Sequence, residues 1–196
     1  MPSKLPVVEV VETPPAREGL IVLKRECEAT QIPSGSKVVL PAGTGVTITQ
    51  SLGGQFTVTT EEGGLYRIAS EDADALGERP AAATAPAPAT EGPFEEERVW
   101  EQLRTVFDPE IPVNLVDLGL IYRCEAVPLP EGGQRVEIAM SMTAPGCGMG
   151  DVLKDDVRRK VQSVPGVREV QVEVVWDPPW DASRMSDAAR LQLGWM

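Results

Sequence analysis

The chain has 196 residues, of which 42% are hydrophobic and only 5% aromatic, and its 30 acidic against 18 basic side chains give a net charge of −12. That length suits one or two ordinary domains, and so acidic a surface is a poor match for phosphate backbones, which sets nucleic acid aside as a partner. No apolar run approaches the ~20 residues of a membrane span. Met1-Pro-Ser-Lys-Leu-Pro6 lacks the apolar core of a signal peptide. The expected location is therefore cytoplasmic, with no membrane partner.

In chain order, residues 1–19 read as an arm rich in Pro and Glu. Leu20–Cys27 reads as a strand, Ile32–Ser36 as a turn, Lys37–Leu40 as a short strand and Pro41–Gly45 as a second turn. Val46–Gln50, Gln55–Thr59 and Leu65–Ala69 are three more strands, separated by Gly53-Gly54 and by Glu61-Glu-Gly-Gly64. In Val46/Ile48 and Phe56/Val58 the apolar residues alternate with Thr or Gln. Strands this short with glycine turns predict a small antiparallel sandwich or barrel over 20–70, with a thin core. Residues 71–93, acidic and then Pro/Ala-rich, read as an extended linker that lets the flanking domains swing.

Phe94–Phe107 predicts an amphipathic helix, with Val99, Leu103, Val106 and Phe107 on one face, ended by Asp108-Pro109. A loop with several acids leads to a strand over Leu118–Val127, and a turn at Pro128–Gly133 leads to the next. From Arg135 to Met142, Val136, Ile138, Met140 and Met142 alternate with Glu137, Ala139 and Ser141, the period of a half-buried strand. Asp151–Val161 is helical, Pro165-Gly166 turns the chain, and Val170, Val172, Val174 and Trp176 alternate along a last strand. This order predicts a compact α+β domain over 94–180, helices on one face of a small sheet. The tail, 181–196, holds a short helix with Ser186 as N-cap and Gly194 past its end. Trp176, Trp180 and Trp195 crowd this end, either packing the tail over the sheet or forming an interaction surface.

The chain contains no histidine. This excludes Cys-His and Ser-His dyads and imidazole metal sites. Its three cysteines, Cys27, Cys124 and Cys147, are odd in number and far apart, so they are not a disulfide framework. Cys147 sits in the loop Thr143-Ala-Pro-Gly-Cys-Gly-Met-Gly150, between a strand end and a helix start. Free N–H groups and the positive end of a helix dipole stabilise a thiolate at such a place and raise its reactivity. Glycines on both sides let the backbone approach the sulfur or its cargo. Cys124 shares a strand face with Leu120, Tyr122 and Ala126 and reads as core. Cys27, at a strand end, is either a small hydrophobe or a second ligand; Lys24 and Arg25 favour its thiolate while Glu26 and Glu28 oppose it.

Asp108-Pro-Glu-Ile-Pro-Val-Asn-Leu-Val-Asp-Leu-Gly-Leu-Ile-Tyr122, with Met142-Thr-Ala-Pro-Gly-Cys147 after it, resembles the MIP18 (DUF59) family. The β region, Val175–Trp180 and Met185–Arg190 are similar to its SufT-like branch. Relatives of the PaaD type carry further cysteines near the C-terminus; this chain has none after Cys147. The resemblance implies the iron–sulfur-assembly α-β-β-α-β fold, a role in maturing iron–sulfur proteins, and a functional cysteine at Cys147.

On this reading Cys147 binds iron or a cluster in transit, with no nucleotide. Thr143 either offers its hydroxyl to that sulfur or caps the loop. Asp108, Glu110 and Asp117 either bind iron, take a proton or cap turns, and the resemblance favours Asp117 and Asn114 as cofactor-binding residues. Clusters usually take four protein ligands. One chain falls short, so a homodimer offering Cys27 and Cys147 twice, or a small thiol, would complete the set around a transient or labile cluster. The expected partners are SUF assembly proteins and iron–sulfur client proteins, and the chain is expected not to be an enzyme. A metal-free scaffold is the alternative. A thiol redox enzyme ranks last, because no resolving cysteine lies near.

Overall fold

A computed structural model describes residues 19–77, 92–144 and 148–195. The first unit is one six-stranded antiparallel sheet: β1 (Leu20–Val22), β2 (Cys27–Ile32), β3 (Lys37–Leu40), β4 (Gly45–Leu52), β5 (Gln55–Thr60) and β6 (Leu65–Ile68), in the order β1-β4-β5-β6-β2-β3. Its inner face carries Cys27, Ala29, Leu40, Val46, Phe56, Val58 and Ile68. The expected Leu20–Cys27 strand is two strands. The chain breaks at Leu23–Glu26, where Leu23 N–H donates to Thr44 O at 3.0 Å and Lys24 N–H to Ala75 O at 2.8 Å. Arg25 is thereby turned onto Asp72 and Asp74.

The acidic start of the expected linker is also structured. Ser70–Leu76 is a 3-10 helix with Ala73, Ala75 and Leu76 buried against the sheet, closed by Gly77 in the left-handed region. Asp72 and Asp74 look outward to Arg25 while the alanines look in, so a composition suggesting an extended chain still yields one short amphipathic turn.

The second unit runs α1 (Glu96–Leu103), β7 (Ile121–Pro128), β8 (Gln134–Met140), α2 (Gly150–Gln162), β9 (Val167–Val174) and α3 (Asp187–Leu193). Its sheet has the order β7-β8-β9, antiparallel between the first two and parallel between the last two. Parallel neighbours need a crossover, which α2 supplies. Val136, Ile138 and Met140 of β8 meet Leu153, Val157 and Val161 of α2 and Leu103 of α1 in one core, joined by Leu115, Leu118 and Leu120. The α+β class expected from the sequence is what the chain forms.

Two boundaries differ for a common reason. The first helix stops at Leu103, not Phe107, because Val106 and Phe107 form a small hairpin with the acid loop: Leu115 N–H donates to Val106 O at 2.9 Å, and Phe107 bridges Asn114. The next strand starts at Ile121, not Leu118, because Asn114–Leu120 is a compact turn in which Leu118 N–H donates to Asn114 O. Both segments are apolar enough to read as regular elements, but their backbone bonds go to each other.

The two units touch along α2 and the 105–109 loop. Arg67 of β6 is ion-paired with Asp156 of α2, both buried. Arg159 pairs with Glu71 at 3.1 Å, Gln50 Nε2 donates to Asp108 O at 3.0 Å, and Thr57 Oγ1 donates to Pro109 O at 3.3 Å. The Pro/Ala-rich part of the expected linker, 78–91, lies outside the described residues, as does the expected arm over 1–18; the two units themselves are in contact.

Candidate functional site

The loop after α1 and the end of β8, about twenty residues apart in sequence, lie side by side. Ser141 N–H donates to Leu120 O at 2.8 Å, extending the β7–β8 ladder by one bond. Ser141 and Met142 are buried, Thr143 is half-buried at the strand end and Ala144 is exposed. Cys147 lies outside the described residues, together with Pro145 and Gly146. The chain is described again from Gly148, which is exposed, and Met149, which is buried; α2 then starts at Gly150 with no side-chain cap.

Gly148 is crowded from the first unit. A Cβ there would overlap the Ser34 carbonyl oxygen, and one on Gly35, at φ +72°, would overlap the Gly148 carbonyl. The Ser34-Gly35 turn thus packs backbone to backbone on the residue that follows Cys147. Only glycine permits that approach.

Asn114 and Asp117 form a closed pair. Asn114 Nδ2 donates to Asp117 Oδ2 at 2.6 Å and Asp117 N–H donates to Asn114 Oδ1 at 2.9 Å. This is side-chain capping of a turn. Both also line a shallow hollow of about 330 Å³ with Leu52, Phe107 and Ala189. Asp108 is buried, and its Oδ1 accepts from Glu110 N–H at 2.8 Å and Ile111 N–H at 2.9 Å. Burial pushes its carboxyl above the usual aspartate range, against those two bonds and the charge of Arg67. Asp108 and Asp117 therefore shape turns. Among the described residues, no three Cys, Asp or Glu side chains converge to hold a metal ion.

Of the two readings of Cys27, small hydrophobe or second ligand, its surroundings favour the first. It is 3% exposed within the core of the first unit, and it sits at the opposite end of β2 from the turn that meets Gly148. Burial raises its thiol pKa; Asp72 and Asp74 add to this while Arg25 opposes it. A sulfur so placed is a small hydrophobe. Cys124 packs against the second core as expected, its thiol pushed up to about 11 by burial and then by Glu96 and Glu125.

The tail covers the acid loop. Trp180 Nε1 donates to Leu118 O at 2.7 Å, Ser186 N–H to Asp117 O at 2.9 Å, and Gln192 Nε2 to Pro112 O at 2.8 Å. The Arg184 guanidinium lies 4.0 Å over the Tyr122 ring. Ser186 caps α3 and Gly194 closes it, as read from the sequence. Of the three tryptophans, Trp180 packs, whereas Trp176 and Trp195 are 47% and 53% exposed. Arg67 and Asp156 went unnoticed in the sequence. The helical phase of Asp156 was a usable signal, since it flanks Leu153 and Val157 while Asp155 faces away.

A three-stranded sheet layered with helices, with a capped acid loop beside the strand that leads to Cys147, makes this an α+β domain. Comparison with known proteins gives its family. Residues 96–174 match the family model described as iron–sulfur cluster assembly protein. The chain is 44% identical over 101 residues to an Fe-S protein maturation auxiliary factor of Porphyromonas gingivalis, covering 52% of this chain and 92% of that one. It is 36% identical over 89 residues to the Fe-S protein maturation auxiliary factor SufT of Staphylococcus aureus, covering 45% and 97%. It is 39% identical over 71 residues to an iron-sulfur cluster carrier protein of Deinococcus radiodurans, covering 36% and 19%. The chain belongs to the iron–sulfur cluster assembly protein family, also called DUF59.

Proposed function

We propose that this protein is a cytoplasmic iron–sulfur maturation factor of the SUF type, acting as cluster carrier or assembly adaptor through Cys147 and not as a catalyst. The observation that carries the reading is the family match, which spans both the acid loop and the Cys147 segment. The bond from Ser141 N–H to Leu120 O, which joins these segments, supports it. Relatives are named for Fe–S maturation and for cluster carriage.

With Cys27 in the core, Cys147 is the thiol each chain has to offer. A cluster wants about four ligands. Two chains, a client or a small thiol must supply the rest, which suits transient holding. Thr143 stands at the strand end leading to Cys147 and is the hydroxyl we assign to support it. Asn114 and Asp117 hold the neighbouring turn in shape and are positioning residues.

The test is iron and acid-labile sulfide per chain after anaerobic reconstitution, wild type beside Cys147→Ser. Iron and sulfide in the wild type and at least a tenfold loss in the variant are expected, with Cys27→Ser retaining the wild-type content. No iron in either protein would overturn the carrier reading and favour the metal-free scaffold, whose partners would be SUF assembly proteins and clients.

A further inference from the structure

The first unit has no assigned role. The family match runs over 96–174, and the similarity to the Porphyromonas gingivalis relative uses 92% of that relative, leaving little chain there for a counterpart of the six-stranded sheet. In this chain the sheet sits on a particular face of the family domain, built from the 105–109 loop, Gly148 and α2.

That contact differs in kind from the interiors it joins. The two apolar cores are separate clusters and share no residue. The outer face of the sheet, with Gln50, Thr57 and Arg67, meets the second unit through hydrogen bonds and ion pairs, and at its edge Leu52 and Gly53 lie beside Phe107 and Thr105. Gaps of about 220 and 160 Å³ remain along the seam, both lined by Gln55, Asp156 and Arg159. Arg67, 6% exposed, gives Nη2 to Asp156, but its Nη1 has no partner among the described residues. A polar, gapped and incompletely satisfied seam resembles a transient protein–protein interface, where relative motion is the default. Removing one partner of a buried ion pair leaves a buried charge less compensated, so docking depends on the pair being whole. Undocking returns Arg67 and Asp156 to water and parts Leu52 from Phe107, but divides neither apolar core.

We infer that the six-stranded unit is a detachable cap, docked in cis on the face of the family domain that carries the residue after Cys147, and that its undocking parts the Ser34-Gly35 turn from the Gly148 backbone and opens the face formed by the 105–109 loop and α2. The Ser34-Gly35 turn is the part that rests on Gly148, and the Arg67–Asp156 pair is the latch. The inference stands on the seam alone and does not require that Cys147 bind a cluster.

Hydrogen–deuterium exchange of the full chain tests it, with wild type beside Arg67→Met. Amides of 34–36, 105–108, 110–111 and 148–152 are expected to exchange about tenfold faster in the variant, while those of β8 and of β4 paired to β5 keep their protection. Glu71→Arg, on the exposed rim of the seam, leaves β6 untouched and should give the same pattern with a smaller factor. Unchanged exchange in both variants would overturn the latch. Loss of protection in β8 and β4 in step with the seam would show one cooperative fold and overturn the cap.

Discussion

Asp108 shows how a residue that looks chemical on paper is spent on architecture. Its carboxyl closes the turn into the acid loop, and burial favours the protonated form. A carboxyl whose pKa rises on folding binds protons more tightly in the native state. Its contribution is therefore favourable below the ordinary aspartate pKa and is lost as pH rises towards the raised value. Asp108→Asn keeps an oxygen acceptor and removes the titration. The urea midpoint of Asp108→Asn minus that of the wild type should rise as pH increases upward from about 4. A flat or falling difference would mean that the carboxyl is not held in a protonation-favouring site. Cys27 is the companion case: Lys24 and Arg25 beside it favour a thiolate and Glu26 and Glu28 oppose it, and strand pairing places it in the core with Leu23 and Leu40.

Among elements, the tail gains its place through one glycine. Gly119 has φ +70°, and a Cβ there would run into the Arg184 carbonyl. The segment carrying Arg184 is also tied down by Trp180 and Ser186. Gly119→Ala should cost on the order of 1–3 kcal/mol through strain and displacement of that segment. The place to look is hydrogen exchange: amides of Arg184–Leu193 should lose protection while those of β8 hold. An unaltered tail would show that Gly119 is not what lets it lie down. The α3 caps were legible because Ser186 and Gly194 act locally. The end of α1 was not, because Val106 and Phe107 continue the helical stripe and leave it only to pair with Leu115 and Asn114.

For the whole molecule, two separate cores predict two separable transitions. Leu103 is fully buried in the second core. Leu103→Ala should cost about 2–5 kcal/mol. That loss should fall on the unfolding of the family domain, with the six-stranded unit melting nearly as in the wild type when followed by exchange at β4 and β5. An equal shift of both would show that the seam couples them more tightly than its polar make-up suggests.

The sequence by itself determined the α+β order of the second unit, the strand turns of the first, the α3 caps and the family motifs, because periodicity, turn residues and motif spacing act over a few neighbouring positions. It also singled out Cys147, on the loop between β8 and α2. Tertiary structure alone decided the rest. The polar alternates Gln50, Thr57 and Arg67 lie under the second unit. Their partners, Asp108 O, Pro109 O and Asp156, are between about fifty and ninety residues away. Alternation tells which side of a strand is polar; it does not tell whether water or another protein surface satisfies that side. For the same reason Gly148 reads as a glycine that lets the backbone approach the sulfur, and the Ser34-Gly35 turn that packs on it comes from the first unit.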